Sequence, residues 1–287
     1  MQEHRQEINA LYYGLLSLSV YRRVTEQPVT GAVTALVKAA AAGDKAALCS
    51  CCGTLCATLA AAGRLDSLPS AMAEEVLADD NAYSELLSSG EQPPERLQQA
   101  AVRDLGVLYK AATLCREDIA AGLDTYVAAV LPGWGTDPAP APMDRPWDGQ
   151  PEAPADYHAR HGCGRFAKHI AFLWRDGALL PVEHPDPIRL SNLKGYEYQR
   201  RIAIDNTLAF LNGFEANNML LYGDRGTGKS STVKAVTNEL SCEGLRLIEL
   251  SKAQLPELPG VFGKIRENPL KFIIFIDDLS FNKNDDS

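Results

Sequence analysis

The pattern of apolar and polar positions changes character along the 287 residues. Up to about residue 131, apolar side chains recur at intervals of three and four, which predicts helices throughout. The expected elements are an opening helix through Tyr21, then 29–42, 44–62, 70–88 and a long segment 94–130 that breaks near Cys115. Gly43, Gly63, Gly90 and Pro93-Pro94 punctuate them; Asp44 and Ser70 stand where N-caps belong, and Gly63 where a helix terminates. Leu97, Ala101, Leu105 and Leu108 form one stripe, which predicts a bundle core rather than a partner groove. Residues 132–164 then hold seven of the 17 prolines, a composition that predicts a stiff linker with no core of its own.

After residue 165 the pattern shifts to short apolar runs between helical stretches. Residues 166–180 alternate about Asp176-Gly177, predicting a hairpin, and His184 to Leu190 is extended by its prolines. A helix is expected over 195–212 with Ile202, Leu208 and Leu211 facing inward, and a strand over 218–222. A helix follows at 231–240 with Val233, Val236 and Leu240 on one face, then a strand at 245–250, a helix at 258–268 and a strand at 271–278. The expected fold is therefore an α/β phosphate-loop domain on an incomplete parallel sheet at 165–287. An all-α domain at 1–131 and the proline-rich linker at 132–164 precede it.

Between the run at 218–222 and the helix at 231–240 stands Gly223-Asp224-Arg225-Gly226-Thr227-Gly228-Lys229-Ser230, the pattern G-x-x-x-x-G-K-[ST]. Its glycines let the backbone wrap a phosphate so that successive amides point at the anion, and the helix that follows aims its positive end there. Lys229 adds a point charge for the β- and γ-phosphates, and Ser230, next to Ser231, offers a hydroxyl to Mg2+. Forty-eight residues beyond Lys229, the apolar run 271–276 ends in Asp277-Asp278. A buried strand of this kind delivers Asp277 to its carboxyl end, where it would hold Mg2+ through water together with Ser230. Asp278 could then polarise an attacking water, acting with Lys229 on the reacting phosphate. A lone acidic pair at a strand end is more simply a solvated terminus; the phosphate loop upstream turns that balance.

Charge and composition narrow the partners. The net charge of −9 comes from the amino-terminal part and the linker, because residues 165–287 carry 16 basic and 16 acidic side chains. Beyond the pairs Arg22-Arg23 and Arg200-Arg201 no basic cluster appears, so nucleic acid is not expected as a direct ligand. No run approaches the roughly 20 apolar residues of a membrane span, and the start is not that of a secretory leader. Seven cysteines, an odd number, suit a reducing cytoplasm better than a disulfide framework. Cys49, Cys52 and Cys56 share a helix face while Cys51 points elsewhere, so small buried thiols are a plainer account than a metal site. His158, His161 and Cys163 lack a second cluster and read as solvated loop residues.

The motif residues together with Gly244 to Glu249 and Phe272 to Phe281 resemble bacterial AAA+-type ATPases grouped as domain-of-unknown-function family 815, over about residues 166–287. The resemblance implies an ATP-binding α/β domain, with Leu193-Lys194-Gly195-Tyr196 near the adenine and ring assembly as a possible homo-oligomer. It also implies that a strand carrying a sensor residue belongs between the strands at 219–222 and 272–276. Such a strand would follow Phe281, so the chain is expected to be a fragment, truncated after the acidic strand, that binds ATP weakly or not at all and does not hydrolyse it appreciably. For the whole protein the leading expectation is an ATPase acting on a macromolecular partner through its amino-terminal helices. The alternatives are a non-hydrolysing nucleotide switch or scaffold, and a small-molecule kinase, which is disfavoured because the sequence shows no acceptor pocket.

Overall fold

Caps and large buried side chains set the helices of the first half. In the computed structural model, which describes residues 2–121, 123–149, 153–266 and 268–277, the chain divides into two units, residues 1–158 and 159–287. The first holds α1 (Gln2–Leu16), α2 (Pro28–Ala42), α3 (Lys45–Ala61), α4 (Leu68–Leu77), α5 (Ala82–Ser88), α6 (Glu95–Ala112), α7 (Arg116–Ala120) and α8 (Thr125–Val130). The division falls within α9 (Ala153–His161). Gly43 ends α2 with φ +72°, a left-handed conformation that glycine adopts without strain, and Asp44 accepts the amides of Ala46 and Ala47 to start α3.

Several boundaries differ from the sequence pattern: α1 ends at Leu16, short of Tyr21, and the segment 94–130 is three helices, α6, α7 and α8. The helix expected over 70–88 is two helices, because Asn81 accepts the amides of Tyr83 and Ser84 while the Ser84 hydroxyl receives the amide of Asn81. This reciprocal cap begins a new helix where a continuous one was expected. The N-cap of α4 is Ser67, whose hydroxyl accepts the amide of Ser70 at 3.0 Å; Ser70 itself lies inside the helix.

Ala101, Leu105 and Leu108 of α6 are fully buried, as their spacing requires. Into the same core go Trp134, Met143 and Trp147 from the proline-rich stretch. The Trp134 indole donates to the carbonyl of Leu114, and that of Trp147 to the carbonyl of Met143. The expectation of a stiff linker fails for residues 132–149, which pack into the core of the first unit. Proline content argues against helices and strands, but each tryptophan buries a large apolar area whatever the backbone around it.

The second unit holds α10 (Gly164–Lys168), β1 (Ala171–Arg175), β2 (Ala178–Pro181), α11 (Glu197–Leu211), α12 (Lys229–Leu240), β3 (Leu245–Leu250), α13 (Leu258–Ile265) and β4 (Lys271–Ile276). Its sheet runs β2-β1-β3-β4. The pair β1/β2 is an antiparallel hairpin, whereas β1/β3 and β3/β4 are parallel. The hairpin turns at Asp176 and Gly177, both with positive φ, 53° and 74°, the geometry that matches strand twist in a two-residue turn. Phe166, Phe172, Trp174, Ile248, Leu250 and Val261 form the core. Arg246, 1% exposed, is held among them by donating to the carbonyls of Phe166, Ser241 and His161 at 2.7, 2.9 and 3.0 Å.

Two expectations are corrected here. Residues 218–222 form no strand, and Leu220 and Tyr222 are 67% and 89% exposed. Among the described residues β4 ends the sheet, so the segment has no ladder to join, and its backbone groups turn to water instead. Along α11, Ile202 faces outward and the buried positions are Ala203 and Thr207.

Candidate functional site

The phosphate-loop pattern folds as a turn with left-handed glycines feeding a helix. Gly223, Gly226 and Gly228 have φ of 138°, 84° and 83°, and no atom lies within 4 Å of where a Cβ would stand at Gly226 or Gly228. Glycine is required there by backbone conformation and not by crowding. Thr227 Oγ1 donates to the carbonyl of Asp224 at 2.9 Å and tightens the turn. Arg225 is exposed on it, and Gly228 leads directly into α12, placing Lys229, Ser230 and Ser231 in the first helical turn.

Lys229 folds back over the loop. Its ammonium donates to the carbonyls of Gly223 and Asp224 at 3.0 and 2.7 Å, so a cation sits inside the turn. Among the described residues, the amides of 224 to 231 donate to no protein group. The arrangement therefore sets amides without protein acceptors at the positive end of a twelve-residue helix, with the Lys229 ammonium held on the carbonyls of Gly223 and Asp224.

The order of α12 over the sheet brings the second motif to the first. Ser230 Oγ donates to Asp277 Oδ1 at 2.9 Å, Lys234 pairs with Glu249 at 3.9 Å, and the carbonyl of Ser241 accepts from Arg246. The helix therefore runs against the direction of β3 and β4, with its amino end at their carboxyl ends. Two oxygens of hard-ligand type, 47 residues apart in sequence, meet there. A hydroxyl and a carboxylate at this separation suit a magnesium ion that keeps most of its waters. Asp278 lies outside the described residues.

Beside Asp277 the carboxyl ends of the strands border an open cavity of about 400 Å3, lined in part by Arg175, Glu249, Ser251 and Gln254. Arg175 and Ser251 belong to no motif and were not singled out from sequence, because only the parallel pairing of β1 with β3 brings them to this edge. The turn at 193–196, expected near an adenine, has Gly195 and Tyr196 both at positive φ, and Arg200 holds the carbonyl of Leu193 at 2.6 Å.

The other candidates resolve into separate places. Cys52 is buried in the first core, where burial, with the neighbouring thiols, pushes its thiol up to about 11. Cys49, Cys51 and Cys56 are partly buried beside that core. His158 is fully buried and His161 half-buried within α9, so the expected solvated loop does not hold for them. Burial, then the charge of Arg246, lowers the His161 imidazole below its ordinary value.

Residues 167–287 match the family described as Protein of unknown function (DUF815). No curated protein and no solved structure matches the chain.

Proposed function

With residues 167–287 matching the DUF815 family, we propose that the second unit is an AAA+-like phosphate-loop unit that binds magnesium ATP. The observation that carries this reading is the 2.9 Å hydrogen bond between Ser230 and Asp277, which joins the loop to the acidic strand end. The free amides of 224 to 231 would receive the phosphate oxygens, and Lys229 would exchange the carbonyls of Gly223 and Asp224 for the terminal phosphates. Ser230 and Asp277 would hold Mg2+, whose charge neutralises the polyphosphate. Asp278 is proposed from its place after Asp277 to orient water. Hydrolysis would be coupled to a macromolecular partner through the amino-terminal helices.

Equilibrium binding of magnesium ATP tests the reading. Binding is expected in the millimolar range, because the segment feeding the loop is not held in the sheet. It is expected to vanish in Lys229→Ala, and phosphate release is expected to be negligible in this 287-residue chain. Affinity unchanged by Lys229→Ala would defeat the assignment. The exposed 218–222 segment favours a second reading, a switch that binds nucleotide without turnover; nucleotide retained without phosphate release, with the partner present, selects it.

A further inference from the structure

The cavity at the strand ends contains one basic side chain for which nothing above accounts. Arg175 ends β1, and the register places Leu173 opposite Glu249 and Glu249 opposite Phe275. Two residues further along, the same row reads Arg175, Ser251, Asp277, so these three side chains share one face of the sheet. That face is the one α12 covers, since Glu249 on it meets Lys234. The other polar groups of the cavity are matched: Glu249 by Lys234, and Ser251 by Gln254, which accepts from its hydroxyl at 3.0 Å. The Arg175 side chain is exposed and forms no ion pair or hydrogen bond with any described residue, its backbone being paired with Ala178 in the hairpin.

Resting on the magnesium-nucleotide reading, we propose that Arg175 binds the terminal phosphoryl group of the nucleotide, reaching it from the end of β1 within the same chain. Two strand spacings, about 9–10 Å, separate its backbone from that of Asp277. A long side chain ending in a planar fork of donors crosses much of that distance and suits an anion with several equivalent oxygens. Asp277, which Ser230 joins to the glycine turn, lines this cavity, and Arg175 is the cavity's remaining unmatched cation. The ligand distinguished in this way is a nucleoside triphosphate rather than a diphosphate, because only the triphosphate carries an oxygen cluster that far out.

The test compares ATP and ADP dissociation constants, with magnesium, for the wild-type chain, Arg175→Ala and Arg175→Lys. Arg175→Ala is expected to weaken ATP about tenfold and to leave ADP unchanged, with Arg175→Lys recovering part of the loss. Equal weakening of both nucleotides would mean that Arg175 acts on the fold, and no change in either would make it a solvated turn residue; both results overturn the proposal. Lys229→Ala is expected to remove ADP and ATP together, so a failure of the phosphate site itself reads differently from a failure of Arg175. Melting temperatures of the variants within a degree or so of wild type would exclude an unfolded Arg175→Ala.

Discussion

Asp104 has no exposed surface, yet its carboxylate sits on the apolar stripe of α6. It accepts the amides of Ser19, Val20 and Tyr21 at 2.8, 2.7 and 3.2 Å, closing the turn that follows α1. Deleting it leaves buried donors unmet, so Asp104→Ala is expected to cost about 3 kcal/mol in urea unfolding, whereas Leu97→Ala, on the partly exposed edge of the stripe, costs less. Arg246 does for the second unit what Asp104 does for the first, fixing carbonyls in place of amides. Neither role is legible in sequence. A charged residue inside an apolar stripe looks like an interruption until the distant backbone groups that need it are known. The loop residues are the opposite case: Gly226, Gly228, Lys229 and Ser230 stand in the conformation and order that their spacing implies.

Among the elements, those with strong local signals formed where expected. The hairpin at Asp176-Gly177, α12, β3 and β4 each follow from turn chemistry or from an apolar period. Residues 218–222 did not, although their composition is that of a strand, because a strand is completed by a neighbour and not by its own side chains. The outcome is an exposed apolar segment joined directly to the glycine turn at 223–228, with Leu220 and Tyr222 presented to water. Chymotrypsin is expected to cut first after Phe214, Leu220 or Tyr222, and magnesium ATP is expected to slow the cut by ordering the loop that follows. Mass spectrometry of the early fragments decides this; first cuts elsewhere, at a rate indifferent to nucleotide, would contradict it.

At the scale of the whole molecule, the acidic excess lies outside the neutral 165–287 region, and among the described residues no helix is long and apolar enough to cross a membrane. Ligand linkage gives a prediction here. Magnesium ATP at ten times its dissociation constant is expected to add about 1.4 kcal/mol to the transition that unfolds residues 159–287. The corresponding rise in melting temperature should be absent in Lys229→Ala, and calorimetry would show it. The sequence by itself determined what depends on neighbours in the chain: helix caps, the glycine turn and the apolar runs. It also paired Ser230 with Asp277 by motif, and the tertiary structure brings them together. Only the tertiary structure decided that Trp134 and Trp147 join a core, that residues 218–222 stay out of the sheet, and that β1 lies beside β3 so that Arg175 shares a face with Asp277. Each of these rests on contacts between residues far apart in the chain, and local periodicity carries no record of such contacts.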